Sequence, residues 1–337
     1  MSLKPLIIPA KSAFLSALSV LFVVSAFVPA LAQSGTDNVF RFLNLPPSAR
    51  IAGLSANVIA LPDGKSSEFQ VNPAYLNSES HERIAVSYTN HLSDINVGTA
   101  SGAYHIEGIG TAGVGIQYIG YGDFTRTNES GQDIGSFNAY DLAVNLGLGR
   151  EVVENLQIGA SLNLIYSSLD EFNSSGISLS AGALYKMHEG RTTFAATVTN
   201  FGSQLSAYDD ETQPLPLDIR IGASRLLEHI PLRLILTAHS LHEWPLRIIS
   251  DNGDPDLGVD IMRHLAFAGE LKLSNHLYFR LGNNRLQSDE QKSDSRIDLA
   301  GTSFGFGLYL KKIRIDFSRN SYSELGGLTQ LSLSTKI

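Results

Sequence analysis

From residue 84 onward the chain alternates apolar with small or polar residues at a period of two. In 155–166, Leu156, Ile158, Ala160, Leu162, Leu164 and Tyr166 share one face. Asn155, Gln157, Gly159, Ser161 and Asn163 share the other, and Ile165 is the exception. Residues 140–149 repeat the pattern, with Tyr140, Leu142, Val144, Leu146 and Leu148 opposing Asp141, Asn145, Gly147 and Gly149. In 298–310, Phe304, Phe306, Leu308 and Leu310 oppose Gly301, Ser303, Gly305 and Gly307. Period two predicts strands with one apolar and one small or polar face. About fourteen such strands are predicted, over 84–90, 95–106, 109–121, 136–149, 155–168, 176–187, 191–201, 216–226, 231–240, 263–273, 276–283, 296–310, 312–319 and 327–337.

Two architectures use this alternation. A soluble sandwich turns the apolar face inward and meets water with charges. A membrane barrel turns the apolar face to lipid and lines its interior with small polar residues. Within the predicted strands the second face is Gly, Ser, Asn and Thr, and the charges are expected between strands. The predicted links alternate too. Those at 107–108, 150–154, 188–190, 227–230, 274–275 and 311 are short. Those at 122–135, 169–175, 202–215, 241–262, 284–295 and 320–326 are longer, and only 91–94 breaks the rule. Short periplasmic turns alternating with longer outer loops predict an all-β transmembrane antiparallel barrel in the outer membrane, with both termini in the periplasm.

The first 32 residues read as a signal peptide. Lys4 and Lys11 precede an apolar run from Ala13 to Val28, and Ala30-Leu31-Ala32 supplies the small residues of a cleavage site. The division expected is 1–32 signal peptide, 33–83 N-terminal hatch segment and 84–337 barrel. Pro46-Pro47-Ser48 is a helix start before 49–61, which suggests a short helix or hatch tucked into the periplasmic mouth. Past Ala32 no apolar run reaches the ~20 residues of a spanning helix. Only 17% of residues are charged, low for a soluble chain. Removing Lys4 and Lys11 takes the formal charge from −8 to −10. An acidic chain is a poor match for nucleic acid. The absence of cysteine excludes thiolate metal sites and thiol nucleophiles.

Several motifs look chemical but keep the strand period. Gly108-Ile109-Gly110-Thr111-Ala112-Gly113 matches a dinucleotide fingerprint, yet Val114 to Ile119 continue the alternation rather than start a helix. Gly301-Thr302-Ser303-Phe304-Gly305 resembles a nucleophile elbow, but no histidine lies beyond His276. His239 and His242 beside Glu243 invite a metal reading; without a third ligand they are read as loop-surface histidines. The loops carry acidic clusters at Asp209-Asp210-Glu211, at 251–256 and at Asp289-Glu290, read as solvated charge. Trp244, the one tryptophan, opens a long loop, where an interface anchor is the ordinary reading and a partner contact the sharper one. No catalytic, cofactor or metal site is expected, and no cofactor.

The segment Asn38-Val39-Phe40-Arg41-Phe42-Leu43-Asn44-Leu45-Pro46-Pro47-Ser48-Ala49-Arg50-Ile51-Ala52-Gly53-Leu54 resembles the mature N-terminus of the PorQ family, outer-membrane components of the type IX secretion system of Bacteroidetes. Asn72-Pro73-Ala74-Tyr75-Leu76 resembles the Asn-Pro-Ala motif that precedes the barrel in the wider FadL and PorV class, whose members have fourteen strands. The resemblance implies a non-enzymatic role. Such proteins help secrete cargo and attach it to the surface, anchoring a PorZ-like surface protein in a complex with PorU and PorV. Outer loops 202–215 and 241–262 then offer contact surface. Many outer-membrane barrels end in an aromatic residue, whereas this chain ends in Ile337. The alternative is a FadL-like transporter of long-chain fatty acids or other hydrophobic compounds. It needs an apolar lining that inward Gly, Ser, Asn and Thr do not supply.

Overall fold

The computed structural model describes residues 38–90, 95–209, 211–248, 253–291, 299–322 and 326–337. The expected signal peptide, 1–32, lies outside them. Fourteen antiparallel strands close into a barrel, each paired with its neighbours in sequence and the last with the first. They are β1 (Arg83–Asn90), β2 (Asn96–Ile106), β3 (Gly110–Thr127), β4 (Asp133–Val153), β5 (Leu156–Leu169), β6 (Phe172–Met187), β7 (Thr192–Ser206), β8 (Asp218–Leu226), β9 (Leu232–Ala238), β10 (Leu265–Lys272), β11 (Leu277–Asn284), β12 (Thr302–Leu310), β13 (Ile313–Tyr322) and β14 (Gly326–Lys336).

The alternation resolves as the membrane reading requires. On β1, Ala85, Ser87 and Thr89 are buried while Ile84, Val86 and Tyr88 are exposed. On β5, Gln157, Ser161 and Asn163 are buried while Ile158, Leu164 and Tyr166 face outward. A wall that exposes its apolar side chains and buries its polar ones matches an apolar solvent outside, so the barrel spans a membrane. Inside, polar side chains satisfy one another across strands: Asn163 bonds Asn145 on β4 and donates to Ser178 on β6 at 3.0 Å.

Six links at one end are short, at 107–109, 154–155, 188–191, 227–231, 273–276 and 311–312. The other end corrects two expectations. The segments 122–135 and 169–175 are mostly strand: β3 and β4 meet across 128–132, and β5 and β6 across 170–171. Alternation persists through Phe124 and Phe137, whose stacked rings at 5.2 Å zip the hairpin above the barrel. The long links at this end are 207–217, 239–264 and 285–301. The wall is therefore uneven. β4 has 21 residues and β9 has 7.

Residues 38–82 run through the inside of the barrel, from Val39 beside Pro214 at one end to Glu82 beside Ile337 at the other. Only Ala49–Ala52 (α1) is α-helical, shorter than the helix expected over 49–61, and the rest is single 3-10 turns and extended chain. The segment is a plug through the lumen, more than a helix at its mouth. Short polar turns suit a chain that must satisfy its own amides against a polar wall rather than against itself.

Because the outer face meets lipid, Leu164→Arg on β5 should destabilise the barrel by about 2–4 kcal/mol, as charge on a lipid face does near the bilayer middle. Denaturant unfolding in lipid vesicles measures this. Ser161→Thr, facing inward on the same strand, is the control.

Candidate functional site

The plug is fixed to the wall by a closed ring of buried charges. Arg50 on α1 meets Glu270 on β10 at 2.7 Å. Glu270 meets Arg280 on β11 at 2.7 Å, and Arg280 meets Asp316 on β13 at 2.7 Å. Asp316 meets Arg314 at 2.5 Å, and Arg314 reaches Glu68 of the plug at 3.5 Å. Glu68 returns to Arg50 at 3.7 Å. Three guanidiniums alternate with three carboxylates, all nearly excluded from solvent. Tyr309 accepts from Arg280 at 3.1 Å and stacks beneath Arg314. Burial works against the charge on Arg50, and Asp63 and Glu270 more than offset it, so its pKa is raised and it stays cationic. A ring with no net charge can sit in a dry interior where a single ion could not.

These strand charges correct the expectation that charge collects between strands. Glu270, Arg280, Arg314 and Asp316 all point into the lumen. The legible signal was a lone charge on the small-residue face of a strand, as Arg280 is between Tyr278 and Gly282.

The residues that carry the family resemblance converge on the plug. Phe40 and Phe42 are buried against Val97, Ile119, Ala143 and Ile165 of the wall. Ile165, which breaks the alternation, thus supplies part of an apolar seat. Leu43 and Leu45 flank it. Carbonyls of Phe42, Pro46 and Pro47 accept from Gln117, Gln330 and Thr99 at 3.0, 3.1 and 2.8 Å. Ser48 caps α1 by accepting from Ile51, and the Ala49 amide donates to Ser332 at 2.7 Å. Asn38 is half-buried beside Val39, whose amide bonds Pro214 in the 207–217 loop. Asn72 folds the second motif: its amide donates to Ile59 at 3.0 Å and its oxygen accepts from Ala74 at 3.0 Å. Pro73 and Ala74 then press on the wall where Gly159 and Gly182 stand. A Cβ on Gly159 would lie 2.3 Å from the Pro73 carbonyl, and one on Gly182 2.2 Å from the Asn72 oxygen. The small-residue faces are the plug's footprint.

Above the plug lies a cavity of about 320 Å³, lined among the described residues by Arg41, Asp218, Arg220, His239, Asn284 and Glu290, with further amides. It is polar, and Arg220 donates to Asp218 within it at 2.5 Å. His239 is buried here, which corrects its reading as a loop-surface residue; burial pushes its pKa down to about 4. Among the described residues no group of three or more acidic, histidine or cysteine side chains is placed to hold a metal. Gly113 of the first motif lies opposite Leu76 of the plug, and Ser303 of the second accepts from the Ser55 amide at 2.9 Å. Trp244 stands apart from the lumen, exposed and stacked on His264 at 4.2 Å.

No family model matches this chain, and no curated protein matches it in sequence. Solved structures do match. The toluene transporter TbuX of Ralstonia pickettii aligns over 89% of this chain and 100% of its own, at 13% identity and a TM-score of 0.53. The toluene transporter TodX of Pseudomonas putida aligns over 89% and 98%, at 12% identity and 0.51. A FadL homologue of Pseudomonas aeruginosa aligns over 86% and 98%, at 12% identity and 0.49. The closed fourteen-strand barrel is the fold shared with TbuX and TodX. At these identities the likeness is one of fold.

Arg50→Met leaves Glu270 and Glu68 short of a cation in a dry interior, so it should cost about 3–5 kcal/mol in denaturant unfolding. Arg50→Met with Glu270→Gln should recover part of that loss. A double-variant loss equal to the sum of the two single-variant losses would show that the two side chains do not act together.

Proposed function

We propose that this chain is an outer-membrane barrel that works with its lumen sealed, as a membrane anchor for a PorZ-like surface protein in type IX secretion and cargo attachment. One observation carries the reading. Phe40, Phe42 and Arg50 of the segment that resembles the PorQ family, and Asn72 to Ala74 of the motif that resembles the wider FadL and PorV class, seat a plug that a buried ion ring then fixes. A barrel organised to stay closed is suited to holding something at the surface. PorU and PorV are the further partners that the resemblance implies, with membrane lipid around the wall. The short turns face the periplasm in this reading, together with Ile337, whose amide bonds Glu82 at the start of β1. Asn38, the first described residue, lies toward the long-loop end beside Pro214.

A second reading is a transporter of hydrophobic small molecules. Two observations favour it: the fold likeness to TbuX and TodX, and the inward apolar seat of Val97, Ile119 and Ile165. The fold likeness bears on transport and says nothing of secretion. Against it, the seat is filled by Phe40 and Phe42, and the neighbouring cavity is polar.

A deletion strain read in two ways separates the two. The anchor reading expects secreted cargo to be lost from the cell surface while uptake of long-chain fatty acids and toluene is unchanged. Retained cargo with lost uptake overturns it in favour of transport.

A further inference from the structure

The wall is too short on one side to cross the membrane by strands alone. At ~3.3 Å per residue and ~40° tilt, the seven residues of β9 climb roughly 18 Å, against an apolar band ~25 Å tall. Its partner β10 has only one residue more. Between them, across 239–264, stands α2 (Leu257–Arg263).

This helix is built inside out. Asp260 and Arg263 are its buried side chains. Asp260 accepts from the Leu246 amide at 2.8 Å, while Arg263 bonds the Leu246 carbonyl at 2.9 Å and Asp289 of α3 (Arg285–Glu290) at 3.1 Å. Leu257, Ile261 and Met262 are the exposed ones. A helix that turns its ion-pairing residues inward and its apolar residues outward repeats the inversion of the barrel wall. Trp244 joins the same surface. One face of its ring is covered by His264, which is itself held between the Asp260 and Glu243 carbonyls at 2.8 and 3.0 Å. The helix leads directly into β10 and packs against it, and the outward Phe267 of that strand is exposed.

We propose that α2 and Trp244 complete the lipid-facing wall above β9 and β10, with Leu257, Ile261 and Met262 in contact with the acyl chains of the outer leaflet and the indole at headgroup depth. A seven-residue helix is ~10 Å long, enough to cover the shortfall of roughly 7 Å left by the strands. The occupant is lipid because the surface continues an established lipid interface and shows the same reversed polarity. Under this assignment the loop that carries Trp244 is part of the membrane wall. Surface partners would then meet the taller side, where the β3–β4 hairpin stands.

The chain has one tryptophan and no cysteine, which makes the test specific. The full protein is reconstituted in phosphatidylcholine vesicles whose chains are brominated at shallow or deep positions. Trp244 emission should be blue of a water-exposed indole, strongly quenched by shallow bromines and spared by iodide. Quenching by iodide exceeding that by bromolipid would overturn the proposal and mark the patch as a wet face for a protein. A nitroxide on Ile261→Cys gives a second readout that does not depend on His264 leaving the indole bright. It should collide more with dissolved oxygen than with a soluble nickel chelate, and the reverse order would overturn the assignment.

Discussion

The rest of the structure depends on a ring of ions that should not be affordable singly. Arg50 enters the lumen because Glu270, Asp63 and Glu68 meet it, and Arg280 and Arg314 in turn neutralise Glu270 and Glu68. Two of the six groups belong to the plug and four to three wall strands. The ring therefore joins a short, loosely structured segment to a closed sheet. Without it the plug has one four-residue helix and a few 3-10 turns, too little local structure to hold a fixed position. With it, the apolar seat for Phe40 and Phe42 and the glycine footprint for Pro73 and Ala74 become specific contacts rather than collapse.

Much of this architecture is written in the period of the chain. Fourteen strands were legible because every second residue reports which solvent it faces, and Ile158, Leu164 and Tyr166 could face only lipid once Gln157, Ser161 and Asn163 were seen to be small and polar. Loop lengths at 122–135 differ from expectation because the hairpin there keeps strand pairing beyond the membrane, where both faces meet water and Gly, Asn and Asp read as turn residues. The plug was harder. Ser48 and Pro46 announce a helix start, but α1 stops at Ala52: Ser55 and Ala56 turn left-handed and the Ser55 amide donates to Ser303, 248 positions away. Nothing local encodes that. The ring is legible only in part: a single Arg280 on a small-residue face signals an inward charge, while its partners Glu270 and Asp316 are brought to it by strand register. His239 was misplaced for the same reason, since burial inside a lumen is a property of the closed sheet.

The uneven wall gives the molecule two sides. Strands β3 and β4 rise well past the membrane, whereas β8 to β12 are short and capped by loops that turn their ion pairs inward. A fold shared with small-molecule transporters is thus fitted with a filled apolar seat, a polar cavity and a tall rim. Those features suit a closed anchor, and the transporter reading requires Phe40 and Phe42 to leave their seat.

The central claim is that the plug seals the lumen. Its most direct test is the ionic current carried by the purified, reconstituted protein across a planar bilayer. The account predicts no steady current at moderate voltage, because the ring and the apolar seat both bind the plug to the wall across the lumen. A stable ohmic conductance in the unmodified protein would contradict it.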